Sequence, residues 1–141
     1  MRYAVKLTKL SNGKYKAESE DLGASVTDEF STESEALDFM CEALPGMMYL
    51  LYRKHRKPIP MPKAAGDHYI YVPARVQAKI LLWNKMIEKG IGVNELARKL
   101  GIPQANASRL TDMSQDKASM EAIENALIAI GSQFDLSTVN N

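Results

Sequence analysis

Several things are scarce in this sequence, and each scarcity removes a class of protein. Cys41 is the only cysteine in 141 residues, so no intrachain disulfide can form and a reducing compartment is expected. Its place in an apolar helical run predicts a buried thiol. There are two histidines, His55 and His68, thirteen positions apart and without partners at zinc spacing. They read as surface residues, and no metal or other cofactor is expected. No apolar stretch approaches the roughly 18–20 residues of a membrane span, and the N-terminus lacks the apolar core of a signal peptide. The expectation is a soluble, cytoplasmic protein that engages no membrane.

Net charge is scarce as well. A formal charge of +1 would argue against nucleic-acid binding if it were spread evenly, but it is not. Residues 75–109 hold Arg75, Lys79, Lys85, Lys89, Arg98, Lys99 and Arg109 against Glu88 and Glu95, a surplus of five. A local basic surface is what attraction to phosphates needs. With 45% hydrophobic and 25% charged residues the chain can bury a core, and its length fits one ordinary domain or two very small ones.

The first thirty residues read as strands. Tyr3, Val5 and Leu7 alternate with Arg2, Ala4, Lys6 and Thr8, the period of two of a half-buried strand. Ser11-Asn12-Gly13 supplies a turn into Lys14–Glu20. Asp21-Leu22-Gly23 breaks that strand, and Ala24–Thr27 forms a third. Ser31 or Thr32 can cap a helix whose apolar face runs Ala36, Phe39, Met40, Ala43, Leu44, Met47, Met48 and Leu51. Pro45-Gly46 predicts a kink or a restart within it. Three alternating prolines in Lys57–Pro62 favour an extended path. His68–Val72 then reads as a fourth strand returning to the sheet, which places a domain boundary near Pro73.

Beyond Pro73 the period changes to 3.6. Val76, Ile80, Trp83 and Ile87 line a helix from Arg75 to about Lys89, and Gly90 ends it. Two short helices, a longer one and a final strand over Gln133–Val139 complete the reading.

The informative stretch is Val93–Leu110. A helix-turn-helix needs a small residue where its helices cross, a turn residue that tolerates positive φ, and apolar residues that set a steep crossing angle. Ala97 is the small residue, Gly101 stands at the turn, and Leu96, Leu100, Ile102, Ala107 and Leu110 are the inward set. Pro103 suits the first helical position. Gln104, Ala105, Asn106, Ser108 and Arg109 then project from the second helix, whose N-terminal end enters the major groove in this motif. Gln104 or Asn106 can pair bidentately with adenine, and Arg109 can meet guanine or a phosphate. Asn94 and Lys99 complete the candidate DNA-binding set.

The order of parts resembles the HicB-type antitoxins of the HicAB toxin-antitoxin family. The resemblance rests on Met1-Arg2-Tyr3, the Asp21-Leu22-Gly23 break, the Ser31–Ala36 helix start, the Ile59-Pro60-Met61-Pro62 joint, the Tyr69–Pro73 strand and the Leu96–Leu110 helix-turn-helix. It departs from the pattern at Gly23, where members commonly have proline, and at Pro45-Gly46, inside a helix usually continuous. The resemblance implies an α+β chain. Residues 1–73 would form a partial ribonuclease-H-like β-β-β-α-β domain that blocks a small HicA-like, mRNA-cleaving toxin. Residues 74–141 would form a helix-turn-helix domain that represses the shared operon.

Inhibition of that kind needs a covering surface and no chemistry, so no enzyme is expected. Tyr3, Tyr15, Glu18, Glu20, Asp21 and Leu22 are the candidate toxin-binding residues, because acidic and aromatic groups suit a basic RNA-binding partner. Asp21, Asp28 and Glu29 cluster around one turn and a helix approach, whereas a nuclease metal site needs acids converging from adjacent strands. The run Arg53-Lys54-His55-Arg56-Lys57 fits two readings, a solvated helix end or a surface for RNA or an acidic partner. One recognition helix makes few base contacts, so a homodimer on operator DNA is expected, with pairing into a tetramer left open. Its seam is assigned to Ser119–Ile130, through Met120, Ile123, Ala126, Leu127 and Ile130, and to the tail Phe134–Val139. The alternative is a stand-alone phage-type repressor with an N-terminal sensing or oligomerisation domain.

Overall fold

The alternation at the start of the chain becomes strand β1 (Arg2–Lys9), with Tyr3 and Val5 buried. The structure, a computed structural model, describes residues 1–140 apart from the side chains of Asp28 and Glu29, so the reading of those two acids lies outside it. Gly13 takes φ +82° at the first turn, and Asn12 Oδ1 accepts a hydrogen bond from the Lys14 amide at 2.9 Å. Strands β2 (Tyr15–Ser19) and β3 (Ala24–Phe30) complete the meander, and β4 (His68–Tyr71) returns to pair antiparallel with β1. The order β3-β2-β1-β4 puts the expected fourth strand at the free edge of β1.

Helix α1 (Glu33–Leu51) covers one face of this sheet. Thr32 caps it, Oγ1 accepting from the Glu35 amide at 3.2 Å, while Glu35 Oε2 accepts from the Ser31 amide at 2.9 Å. Its buried row is Ala36, Met40, Leu44 and Met48, a strict four-residue step and narrower than the expected face. Phe39 and Leu51 are exposed in consequence. Cys41 is exposed too, contrary to expectation, because it stands one residue, about 100°, round the helix from Met40. No restart occurs at Pro45, since α1 runs unbroken through it. The carbonyl that the proline leaves without a partner belongs to Cys41, on the wet side, where water can bond it.

The proline-rich segment is held down by side chains, since Pro58, Pro60 and Pro62 carry no amide hydrogen. Asn84 takes both backbone groups of Ile59: Oδ1 accepts from its amide at 2.7 Å and Nδ2 donates to its carbonyl at 2.9 Å. The Tyr3 hydroxyl donates to the Pro60 carbonyl at 2.7 Å, and Asp21 Oδ1 accepts from the Lys63 and Ala64 amides at 3.0 and 3.1 Å.

After Pro73 come helices only: α2 (Ala74–Lys89), α3 (Val93–Leu100), α4 (Gln104–Thr111) and α5 (Met120–Ala129). Helix α2 has two apolar faces. Ile80 and Trp83, with Val76 and Ile87, join the core of the sheet and α1, whereas Ala78, Leu82 and Met86 join the core built by α3, α4 and α5. Residues two apart on a helix point about 200° apart, so α2 lies between the two cores and belongs to both. Each large apolar side chain so buried contributes roughly 1.5–3 kcal/mol.

Two expectations about the C-terminus change. Ile123, Ala126, Leu127 and Ile130 are buried within the subunit, so most of the stripe assigned to a dimer seam is already used by the helical core. The strand assigned to Gln133–Val139 is irregular chain. A strand needs a neighbour to take its backbone hydrogen bonds, and no strand of this subunit pairs with it among the described residues. Leu136 and Val139 stand 77% and 66% exposed.

Candidate nucleic-acid interface

Helix α3 ends where Gly101 adopts φ +66°. The Ile102 amide donates to the Ala97 carbonyl at 3.1 Å and the Gly101 amide to Arg98 at 3.3 Å. That paired closure is a Schellman turn, which glycine enters without steric penalty. Leu96, Ala97, Ala107 and Leu110 are buried, and Leu100 and Ile102 pack against them. Ala97 lets the helices approach, and the turn sets α4 across α3. Pro103, expected as the first helical residue, is the N-cap, and α4 begins one position later at Gln104, a shift within the usual uncertainty of helix ends.

Of the expected DNA-facing residues, Gln104, Ala105, Asn106 and Arg109 on α4 and Asn94 and Lys99 on α3 are exposed. Arg109 Nη1 donates to Asn106 Oδ1 at 2.9 Å, which sets the two side chains together one turn apart. Ser108 differs. It is half-buried, and its hydroxyl accepts from Arg53 Nη2 at 3.3 Å.

Arg53 has no signal in the sequence beyond its place in a basic run. It lies in a single 3-10 turn, Arg53–His55, after α1. Its guanidinium stacks 4.4 Å from the centre of the Trp83 ring, Nε donates to the Thr111 carbonyl at 3.3 Å, and Nη2 donates to Thr111 Oγ1 at 2.9 Å. Burial pulls its pKa below the usual arginine value, and the nearby Asp112 carboxylate partly opposes that shift. The start of the 53–57 run is therefore a fastening between the sheet half and the far end of α4.

The basic surplus also redistributes. Lys79 is 1% exposed, and its Nζ donates to the Asp112 and Gln115 carbonyls at 3.0 and 2.6 Å. Burial lowers its pKa, against the pull of Asp112. Arg75 pairs with Asp116, Lys85 with Glu88 at 2.9 Å, and Lys89 donates to the Ile130 carbonyl at 2.5 Å. Lys79 and Lys89 are thus engaged by backbone carbonyls, and Arg75 and Lys85 sit in exposed ion pairs that offset their charge. Arg98, Lys99 and Arg109 remain exposed on the two short helices.

The expected toxin-facing set divides in the same way. Tyr3 and Leu22, at 0% and 1% exposure, are core residues and present no surface. Alternation aims Tyr3 at α1, and Leu22 fills the space under the loop while its carbonyl accepts from the Tyr52 hydroxyl at 2.5 Å. Burial raises the Tyr3 pKa far above the usual phenol value. Asp21 is committed to the Lys63 and Ala64 amides. Tyr15 and Glu18 are half-buried and Glu20 is exposed. Glu18 lies 2.9 Å from Lys16, whose ammonium holds its carboxyl below the usual range. An open groove of about 850 Å³ between the sheet and the 64–68 segment is edged by Lys6, Glu18, Glu20, Glu33 and His68.

Comparison with known proteins places relatives along nearly the whole chain. It is 31% identical over 140 residues to Antitoxin HicB of Escherichia coli, covering 99% of this chain and 100% of that one. It is 32% identical over 139 residues to Antitoxin HicB 2 of Photorhabdus laumondii, covering 99% and 97%. Antitoxin HicB of Pseudomonas fluorescens is 34% identical over 109 residues, 75% of this chain and 73% of that one. No family model matches the chain. Among the described residues, no helix is long and apolar enough to cross a membrane.

Proposed function

The chain belongs to the HicB antitoxin family, and from that premise we propose that it blocks a small HicA-like, mRNA-cleaving toxin and represses the operon encoding the pair. The observation that carries the repressor half is the outward row Gln104, Asn106 and Arg109 on a helix set by the Gly101 turn. Gln104 and Asn106 would meet base edges, and Asn94, Lys99 and Arg109 the base edges or phosphates beside them. No catalysis is assigned to the protein.

The antitoxin half would act by covering the toxin's RNA-binding face. With Tyr3 and Leu22 inside, the contact surface falls to Glu18, Glu20 and the exposed edge of Tyr15, beside the acidic groove. A homodimer would read two half-sites about one helical turn apart. Its seam would use what α5 and the tail leave outside: Ile128, Leu136 and Val139.

The two halves are tested together. Anisotropy titrations against the duplex upstream of its own gene should show sequence-selective binding. Gln104→Ala should reduce that selectivity by roughly 1–3 kcal/mol at one base position. Glu18→Lys with Glu20→Lys should weaken toxin capture and leave DNA binding unchanged. Equal affinity for native and scrambled duplexes would overturn the repressor half, and undiminished capture by the double reversal would remove the acidic surface.

A further inference from the structure

A cleft of about 370 Å³ opens where the two halves meet beside the recognition helix. From the helix-turn-helix side it is lined by Gly92, Val93, Asn94, Gln104 and Ser108. From the sheet half come Arg53 and Arg56. Trp83, Ile87 and Ile91 make the floor, and no carboxylate lines it. Two guanidinium groups over an apolar floor, facing amide and hydroxyl side chains, make a site for an oxygen anion.

The two cations sit close enough to oppose each other. Burial is the main cause of the depressed Arg53 pKa, Asp112 and Tyr49 oppose it, and the like charge of Arg56 adds the smallest push downward. Asp112 offsets part of the Arg53 charge, but no acid lines the cleft itself, so an anion entering it meets net positive charge. Arg53 is also fixed in advance, since Nε and Nη2 are bound to Thr111 and Ser108. Among the described residues no protein acceptor meets Nη1, so its two hydrogens are available to an incoming oxygen. Arg56 itself adopts φ +56°, a left-handed conformation uncommon outside glycine, asparagine and aspartate. Closing the 3-10 turn in that way puts its side chain on the cleft.

We propose that Arg53 and Arg56 clamp a backbone phosphate of the bound operator, so the sheet half contributes directly to DNA binding. The inference deepens the repressor reading and rests on it. Asn94 and Gln104 line the cleft and also belong to the DNA-facing row, so a duplex engaged by α4 brings phosphates to this point. The clamp also adds two cations to the sequence surplus, in which Lys79 and Lys89 bond backbone carbonyls and Arg75 and Lys85 face neighbouring carboxylates.

The test is Arg56→Asn, because asparagine tolerates the left-handed turn and the variant keeps its fold. The full-length protein is titrated with the duplex upstream of its own gene and with a scrambled duplex, across a series of salt concentrations. With Arg53 left on the phosphate, loss of Arg56 lowers the slope of log K against log salt by up to about 0.9, which at physiological salt weakens binding by up to roughly five-fold. Both duplexes should weaken by the same factor, with base preference intact. Normal preference in the parent with unchanged slope and affinity in Arg56→Asn would overturn the clamp alone. Weakened binding to single-stranded RNA or to the toxin, with the DNA slope unmoved, would overturn it in favour of that partner. No preference for the native duplex in the parent would remove the repressor reading and the clamp together.

Discussion

Replacing Arg53 by methionine keeps the apolar stem and removes the charge that joins the two halves. The wild-type guanidinium makes one short hydrogen bond, 2.9 Å to Thr111 Oγ1, and two long ones of 3.3 Å, and it stacks on Trp83. A charged hydrogen bond contributes about 1.5–3 kcal/mol and a cation–π contact about 0.5–1 kcal/mol at a partly exposed site. The long bonds count for less, and relief of the desolvation that depresses the Arg53 pKa offsets part of the loss. The net expectation is destabilisation of about 2 kcal/mol. With a urea dependence of about 2 kcal/mol/M for a chain of this size, the unfolding midpoint should fall by about 1 M. Trp83 is the single tryptophan and forms the stack, so its fluorescence reports the junction while far-ultraviolet circular dichroism reports the helices and sheet. Both probes should give one coincident transition in the parent, because α2 belongs to both cores. A midpoint shift below about 0.3 M, or two separate transitions in the parent, would refute the view of the junction as one cooperative unit.

Two further outcomes follow from the same geometry. The folded Tyr3 phenol keeps its proton well above the usual value, through burial first and the charge of Asp21 second, whereas in the unfolded chain it ionises near pH ~10. Its contribution is therefore complete below about pH 10 and is lost as pH climbs above it, by up to about 1.4 kcal/mol per unit. Urea midpoints of parent and Tyr3→Phe should differ most at neutral pH and converge in alkali; a constant gap would contradict the assignment. At the C-terminus, Leu136→Asp with Val139→Asp should shift sedimentation towards monomer at micromolar concentration without changing the melting curve of the monomer. An unaltered dimer would move the seam away from the tail.

The elements with a clean period were legible, and those whose burial depends on a distant partner were not. Tyr3 and Val5 alternate as a half-buried strand should, and the turn at Gly13, the fourth strand before Pro73 and the Val76–Ile80–Trp83–Ile87 stripe all appear in the fold. The stripe was only half of α2. Ala78, Leu82 and Met86 form a second one, whose single branched aliphatic, Leu82, stands out less in the sequence than a tryptophan and two isoleucines. On α1 the opposite error occurred: apolar residues at three- and four-residue steps suggested a broad face, but the sheet is covered by the four-residue row alone, which leaves Phe39 and Cys41 outside.

The candidate site shows the same division. Gly101 and its apolar neighbours carry local geometry, so the turn and the outward row could be read from residue type and spacing. Chemical suitability points to Tyr3, Asp21 and Leu22 as toxin-facing, but suitability says nothing of orientation. Tyr3 lies on the covered side of β1, and the Asp21 carboxylate holds the proline-rich segment. Charge misled for a related reason. A sum over sequence counts every cation as available to a ligand, although Lys79 cannot leave the Asp112 and Gln115 carbonyls without abandoning two hydrogen bonds. Arg53 and Arg56, outside the counted window, line a cleft with Asn94 and Gln104, two of the residues proposed to face DNA. Whether a cation can serve the proposed phosphate site thus depends on which of its donors stay open after its internal bonds are made, as with Arg53, and that can be judged only once its acceptors are known.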